Sequence, residues 1–94
     1  MKSTYIQKFK NAEPTLTQGK SDFFKSGVEW ATNKADLFTV RNTWKKTLDM
    51  LEELRNRCRE SANNRKDNDN LMKDFDLGIV LACEYFLENF DTRN

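Results

Sequence analysis

Residues 70–91 have the sequence NLMKDFDLGIVLACEYFLENFD, and this stretch decides the fold. If it is helical, apolar side chains from Leu71 to Phe90 occupy one broad face, and Leu77, Val80, Leu81 and Leu87 lie outside that face. A helix that is apolar on nearly all sides is typical of a buried helix, which other elements cover from more than one direction. The sequence therefore predicts a buried C-terminal helix over residues 70–91.

The chain before this helix divides into three parts. Residues 61–70 lack any large apolar side chain and are rich in Asn, Asp and Arg, which predicts a turn. Residues 21–60 are predicted to be helical, because apolar residues recur there at helical spacing. Residues 1–20 are predicted to form a short helix that Pro14 ends, followed by a loop.

A seven-residue repeat leaves two interpretations of residues 21–60 open. The repeat consists of Phe23, Trp30, Leu37, Trp44, Leu51 and Cys58. It is compatible with one uninterrupted helix, which would be on the order of 60 Å long. The companion positions Ser26 and Asn33 are polar and would make a poor coiled-coil seam, which favours two helices with a bend near residue 33.

These elements predict an all-α protein with a single domain over residues 1–94. Its frame is a long antiparallel C-terminal helical hairpin, and one or two shorter N-terminal helices pack against it. Because the connecting turn is short, residues of the two long helices whose numbers sum to about 130 are expected to face each other. Trp44 is then opposite Phe86, and along the hairpin large side chains tend to face smaller ones, as a close-packed core requires.

Composition excludes several kinds of chemistry. The chain contains no His and two Cys, so the usual ligands for a zinc or redox-metal site are lacking. We find no motif typical of a nucleophile with its base, and no Gly-rich phosphate loop. The sequence therefore predicts a protein that is not an enzyme and binds no cofactor. The absence of a signal peptide or of a long apolar run predicts a cytoplasmic protein that does not enter the membrane.

The surplus of apolar surface on the C-terminal helix points to a protein partner. The first 20 residues can cover only part of it, so we expect an interaction surface formed by Leu77, Val80, Leu81 and Leu87. A second copy of the chain, in a dimer, is the favoured partner, since symmetric self-association is the commonest oligomeric arrangement. The small size and the lack of catalytic motifs are typical of inhibitors and adaptors that phages and mobile elements encode, for example against host defence. We expect a function of this kind.

A basic cluster at the predicted turn supports a different hypothesis, in which the chain binds nucleic acid or a signalling nucleotide. Its members are Arg55, Arg57, Arg59, Arg65 and Lys66. The net charge of +1 gives no independent support for a polyanionic ligand. Cationic side chains near the end of a helix are also stabilised by the helix dipole, whatever their function. Phosphate binding is therefore the alternative and not the leading hypothesis.

Overall fold

Four helices make up most of the described chain. A computed structural model describes residues 2–66 and 69–93. In chain order, α1 spans Lys2–Leu16, α2 spans Asp22–Arg41, α3 spans Trp44–Asn64 and α4 spans Asn70–Asn89. The described residues form no β-strand, and the predicted all-α class is confirmed.

Helix α4 lies at the centre of the protein. Most contacts between helices join it to α2 on one side and to α3 on another, and α1 also touches it. This arrangement explains its apolar sequence, because neighbours cover it from several directions. The core combines buried residues of all four helices, and the largest apolar side chains that are fully buried are Phe9, Val28, Leu48, Leu51 and Phe86.

Helices α2 and α4 approach each other closely at Gly27 and Gly78. A Cβ atom at Gly27 would collide with the carbonyl oxygen of Phe75, and one at Gly78 would collide with that of Phe24. In both cases the obstructing residue lies three positions before the opposite glycine. Since Cα–Cβ bonds tilt toward the N-terminus of a helix, this reciprocity shows that α2 and α4 run in the same direction where they cross.

Helices α3 and α4 run in opposite directions. At the start of α3, the Trp44 indole N–H donates to the Phe90 carbonyl oxygen at 2.8 Å, and the Trp44 and Phe86 rings lie 6.0 Å apart. Near the other end of α3, the Ser61 hydroxyl donates to Asp76 at 2.9 Å. The predicted pair of Trp44 and Phe86 is confirmed. The hairpin is formed by α3 and α4 alone, because residues 22–41 belong to a separate helix.

Helix α1 closes one end of this arrangement through aromatic contacts. The Tyr5 ring lies 4.8 Å from the Trp44 ring and 4.7 Å from the Phe90 ring. Phe9 is fully buried and lies 5.1 Å from Phe86. The helix continues through Pro14 to Leu16, so the predicted end at Pro14 is wrong. Pro14 is exposed, and the carbonyl group that loses its intrahelical partner there can bind water instead.

The predicted bend near residue 33 is also wrong, because α2 passes through Asn33 without interruption. The chain turns instead at residues 42–43. There the Thr43 hydroxyl accepts a hydrogen bond from the Lys46 N–H at 3.1 Å, and it caps the start of α3. A threonine in this position satisfies one of the free N–H groups of the first turn.

The predicted turn over residues 61–70 is shorter in the structure. Helix α3 continues to Asn64, and α4 begins at Asn70. Residues 67 and 68 of that predicted turn lie outside the described residues. Helix α4 ends at Asn89, two residues before the predicted end, and Phe90 forms its C-cap.

Candidate interaction surface

The four residues predicted to form the partner surface do not lie on one open face. Val80 is 7% exposed, and Leu81 and Leu87 are partly buried against the core. Leu77 alone among them is exposed, at 37%. The prediction of this surface assumed that little of the chain could cover α4. In the structure α2 as well as α1 packs on it.

Exposed apolar side chains are concentrated elsewhere, on α2. The large apolar residues that stay exposed among the described residues are Phe23, Trp30, Leu37 and Val40 of α2, and Leu71, Met72 and Leu77 of α4. The exposed fractions of Leu37 and Val40 are 52% and 76%. Helix α2 therefore carries two apolar faces, one that packs on the core and one that faces solvent.

The four exposed apolar residues of α2 lie along a single line. Phe23, Trp30 and Leu37 are seven residues apart, and Val40 follows three residues later. This is the spacing of the a and d positions of a coiled-coil heptad. Ser26 and Asn33 occupy the remaining d positions, and both are exposed. We call these six residues the α2 stripe, and it is about 26 Å long.

The indole of Trp30 is held at the surface by two neighbours. Its ring lies 6.3 Å from the ring of Phe75 on α4, and the ammonium group of Lys34 lies 5.3 Å above it. A cation over the face of an indole is attracted by the ring quadrupole. Trp30 is therefore positioned by its contacts with Phe75 and Lys34, while 38% of its surface remains accessible.

A small cleft adjoins the C-terminal end of the α2 stripe. Its volume is about 290 Å³, and it is lined by Leu37, Phe38, Arg41, Asn42 and Met50. The lining comes from the last turns of α2 and from α3, on the two sides of the turn at residues 42–43. The cleft is mostly apolar, and it extends the accessible apolar surface from Leu37 toward α3.

The basic cluster predicted at the turn is largely engaged within the chain. Arg65 pairs with Asp69 at 2.9 Å and with Asp76 at 2.8 Å, and its hydrogen bonds to Asp76 and Asp69 raise the pKa of the guanidinium further. Arg59 forms an ion pair with Glu84. Arg55 donates to Asn56 at 3.1 Å.

The remaining two cations of the cluster, Arg57 and Lys66, are exposed. An open depression of about 520 Å³ beside Lys66 is also lined by Asp69, whose carboxylate would repel a phosphate group. The structure thus places acidic residues next to Arg59, Arg65 and Lys66, three of the five cations that the alternative hypothesis needs.

Two further features bear on the possible chemistry. Within residues 2–66 and 69–93, His, Cys, Asp and Glu side chains form no group of three or more that could hold a metal ion. In the same part of the chain, none of the helices has both the length and the apolar character that a membrane crossing requires.

Comparison with protein-family models, with curated proteins and with solved structures found no match to this chain.

The sequence contained the signal for the α2 stripe. The seven-residue repeat includes Phe23, Trp30 and Leu37, but it continues through Trp44 and Leu51, which are buried. The repeat therefore joined residues of two helices that have different environments. The turn at residues 42–43 separates the two helices, and apolar periodicity alone could not locate this turn.

Proposed function

We propose that this protein is a non-enzymatic protein-protein interaction module that acts through the α2 stripe, in the manner of a small inhibitor or adaptor. The observation that supports the proposal is the alignment of Phe23, Trp30, Leu37 and Val40 on one exposed helix face. Together these side chains expose on the order of 400 Å² of apolar surface, the size of patch that often marks a binding site on a small protein.

The proposed assembly is a homo-oligomer, with a dimer favoured. A stripe at heptad spacing is the surface that another helix with the same spacing can cover, and a second copy of the chain supplies such a helix. The chain still self-associates in this proposal, as the sequence predicts, but the interface is formed by α2 and not by α4.

Light scattering behind size-exclusion chromatography tests the proposal. At micromolar concentration we expect a mass of at least twice the 11.1 kDa of the chain. Leu37→Glu should reduce that mass, because it places a charge within the apolar stripe. Leu71→Glu is the matched control, since Leu71 is a leucine of similar exposure, at 57%, on α4.

The two variants have clear outcomes. A reduced mass for Leu37→Glu with an unchanged mass for Leu71→Glu supports the α2 stripe. A wild-type chain that stays monomeric at high micromolar concentration would remove self-association from the proposal. An equal effect of both substitutions would show that the interface is not specific to α2.

The phosphate-binding alternative has weaker support, because three of its five cations already have partners within the chain. It predicts that binding of an oligonucleotide falls steeply with salt, and that Arg57→Gln together with Lys66→Gln abolishes it. These two residues are chosen because their replacement breaks none of the ion pairs described above. Binding that depends on them would place the alternative first.

A further inference from the structure

Charged residues flank the α2 stripe in an ordered way. With Phe23, Trp30 and Leu37 at heptad position a, the preceding residues at position g are Asp22, Glu29 and Asp36. The residues four positions after Trp30 and Leu37 lie at position e, on the other flank, and they are the basic residues Lys34 and Arg41. One flank of the stripe is therefore acidic and the other is basic.

None of these charges is paired with an opposite charge within the described part of the chain. Asp22, Glu29, Asp36 and Arg41 are exposed, and Lys34 is half-buried against Trp30. Among the described residues, none of the five takes part in an ion pair, in contrast to Arg59, Arg65 and Arg93. The acidic flank is reinforced by α1, since Glu13 is close enough to Glu29 for their charges to interact.

Charges at positions e and g set the orientation in which two helices pair. In a parallel pair in register, position g of one helix faces position e of the next heptad in the other. Glu29 then faces Lys34 of the second copy, and Asp36 faces Arg41 of the second copy. The twofold axis repeats both pairs. In an antiparallel pair, g faces g and e faces e, so acids would face acids and cations would face cations.

Asn33 also favours the parallel orientation. It lies at a d position near the middle of the stripe, and in a parallel pair in register it faces its own copy. Two facing Asn side chains can hydrogen-bond to each other, and this device fixes the register of coiled coils. In an antiparallel pair centred on α2, Asn33 would face Trp30 of the other copy, which leaves its amide without that partner.

We propose that the α2 stripe binds the α2 stripe of a second copy in parallel and in register. This inference rests on the proposed function, and it adds the occupant, the orientation and the contacts of that surface. The pairs of Glu29 with Lys34 and of Asp36 with Arg41 select the parallel arrangement. The apolar a residues supply the attraction between the two helices.

Charge reversal tests the orientation. Glu29→Lys alone places lysine opposite Lys34, and Lys34→Glu alone places glutamate opposite Glu29. Each single variant should self-associate about tenfold more weakly than wild type, because two attractive pairs become repulsive. A mixture of the two variants should form a heterodimer of about wild-type affinity, since each repulsive pair becomes attractive again.

Lys25→Glu is the matched control for these variants. Lys25 is exposed on α2 but lies at position c, away from the stripe, so its reversal should leave the dimer affinity unchanged. Circular dichroism of each variant alone should retain the wild-type helical signal. Folded single variants whose mixture fails to pair would overturn the parallel orientation, whereas the Leu37→Glu result decides separately whether the stripe is an interface at all.

Disulfide trapping gives a second, geometric test. Ser26→Cys in a Cys58→Ser background puts a thiol at a d position away from the centre of α2. In the parallel arrangement this thiol faces its copy, and mild oxidation should link most chains into a covalent dimer. In an antiparallel arrangement residue 26 faces residue 37, and Ser26→Cys would crosslink only when it is mixed with Leu37→Cys. That second outcome would overturn the proposal.

Discussion

The side chain of Thr47 fits into the core, but its hydroxyl group is buried without a hydrogen bond among the described residues. Its side chain is fully buried on α3, and within the described part of the chain no group forms a hydrogen bond with its hydroxyl oxygen. A buried hydroxyl without a partner has lost its bonds to water and gained none in return, which costs about 1–3 kcal/mol. Valine has nearly the same shape and no polar atom.

Thr47→Val is therefore expected to increase the free energy of unfolding, by about 1 kcal/mol. Urea denaturation measures the change through the transition midpoint. Thr32→Val is a matched control, because the hydroxyl of Thr32 is also buried but donates to the Val28 carbonyl oxygen at 2.8 Å. A loss of stability on Thr47→Val, comparable to that of the control, would show that the Thr47 hydroxyl finds a partner.

The buried thiol of Cys83 makes the stability of the folded protein sensitive to alkaline pH. Burial raises the pKa of its thiol from 9.0 to about 12. In the unfolded chain the thiol loses its proton near pH 9, whereas the folded protein keeps it to about pH 12. The stability that this thiol contributes is thus complete below about pH 9 and is lost as pH rises from 9 toward 12.

Cys83→Ala should accordingly reduce the alkaline loss of stability. The urea midpoint of the wild-type protein should fall more between about pH 8 and about pH 10.5 than that of the variant. Other groups titrate in this range, but they do so in both proteins, and the comparison isolates the contribution of Cys83. Equal slopes for the two proteins would show that the thiol titrates in the folded state as it does in the unfolded chain.

At the scale of the elements, the contact between α2 and α4 depends on two glycines. A helix normally gains about 1 kcal/mol when an interior glycine is replaced by alanine. At Gly78 the added methyl group would meet the backbone carbonyl of Phe24, which cannot move without shifting α2. The backbone contact therefore opposes the helix propensity.

Gly78→Ala is expected to lower the free energy of unfolding, by about 1–3 kcal/mol. The sign is informative, since helix propensity alone predicts the opposite change. Asn63→Ala, at an exposed position of α3, is the control in which propensity acts without a packing cost. Thermal denaturation of both variants compares them. An increase in stability for Gly78→Ala would show that the two helices are farther apart than the structure places them.

The sequence was sufficient to predict the central position of α4 and its antiparallel packing with α3, because both follow from apolar periodicity and a polar turn. It was not sufficient to place the breaks between helices. Pro14 lies within α1 because its exposed position tolerates the missing hydrogen bond. Asn33 is of a residue type that often begins a helix, but here it lies inside α2. The true break depends on Thr43, whose capping role is a local signal that the seven-residue repeat obscured.

The candidate surface was harder to predict for a similar reason. Whether Val80 or Val40 is exposed depends on which helices lie beside it, and that is a property of the tertiary structure. Val80 is covered within the bundle, whereas Val40 at the end of α2 is 76% exposed. Apolar periodicity placed Val80 outside the broad face of the C-terminal helix, but it did not identify which apolar surfaces the chain itself would cover.

At the scale of the whole molecule, the proposed dimer makes stability depend on concentration. A chain of this length buries a modest core, and any partner that binds only the folded state adds to its stability. For a dimer, that added free energy grows with the logarithm of the chain concentration. A folded monomer that does not self-associate has a melting temperature independent of concentration.

The melting temperature of the wild-type protein should therefore rise by about 3 °C for each tenfold increase in concentration above the dimer dissociation constant. Leu37→Glu should remove this dependence, because it weakens the association of the two copies. Leu71→Glu should retain the dependence. Differential scanning calorimetry over a hundredfold range of concentration measures the slope. A wild-type melting temperature that stays constant over that range would show that the α2 stripe of the folded chain does not bind a second copy, and a slope that Leu37→Glu leaves intact would place the self-association on another surface.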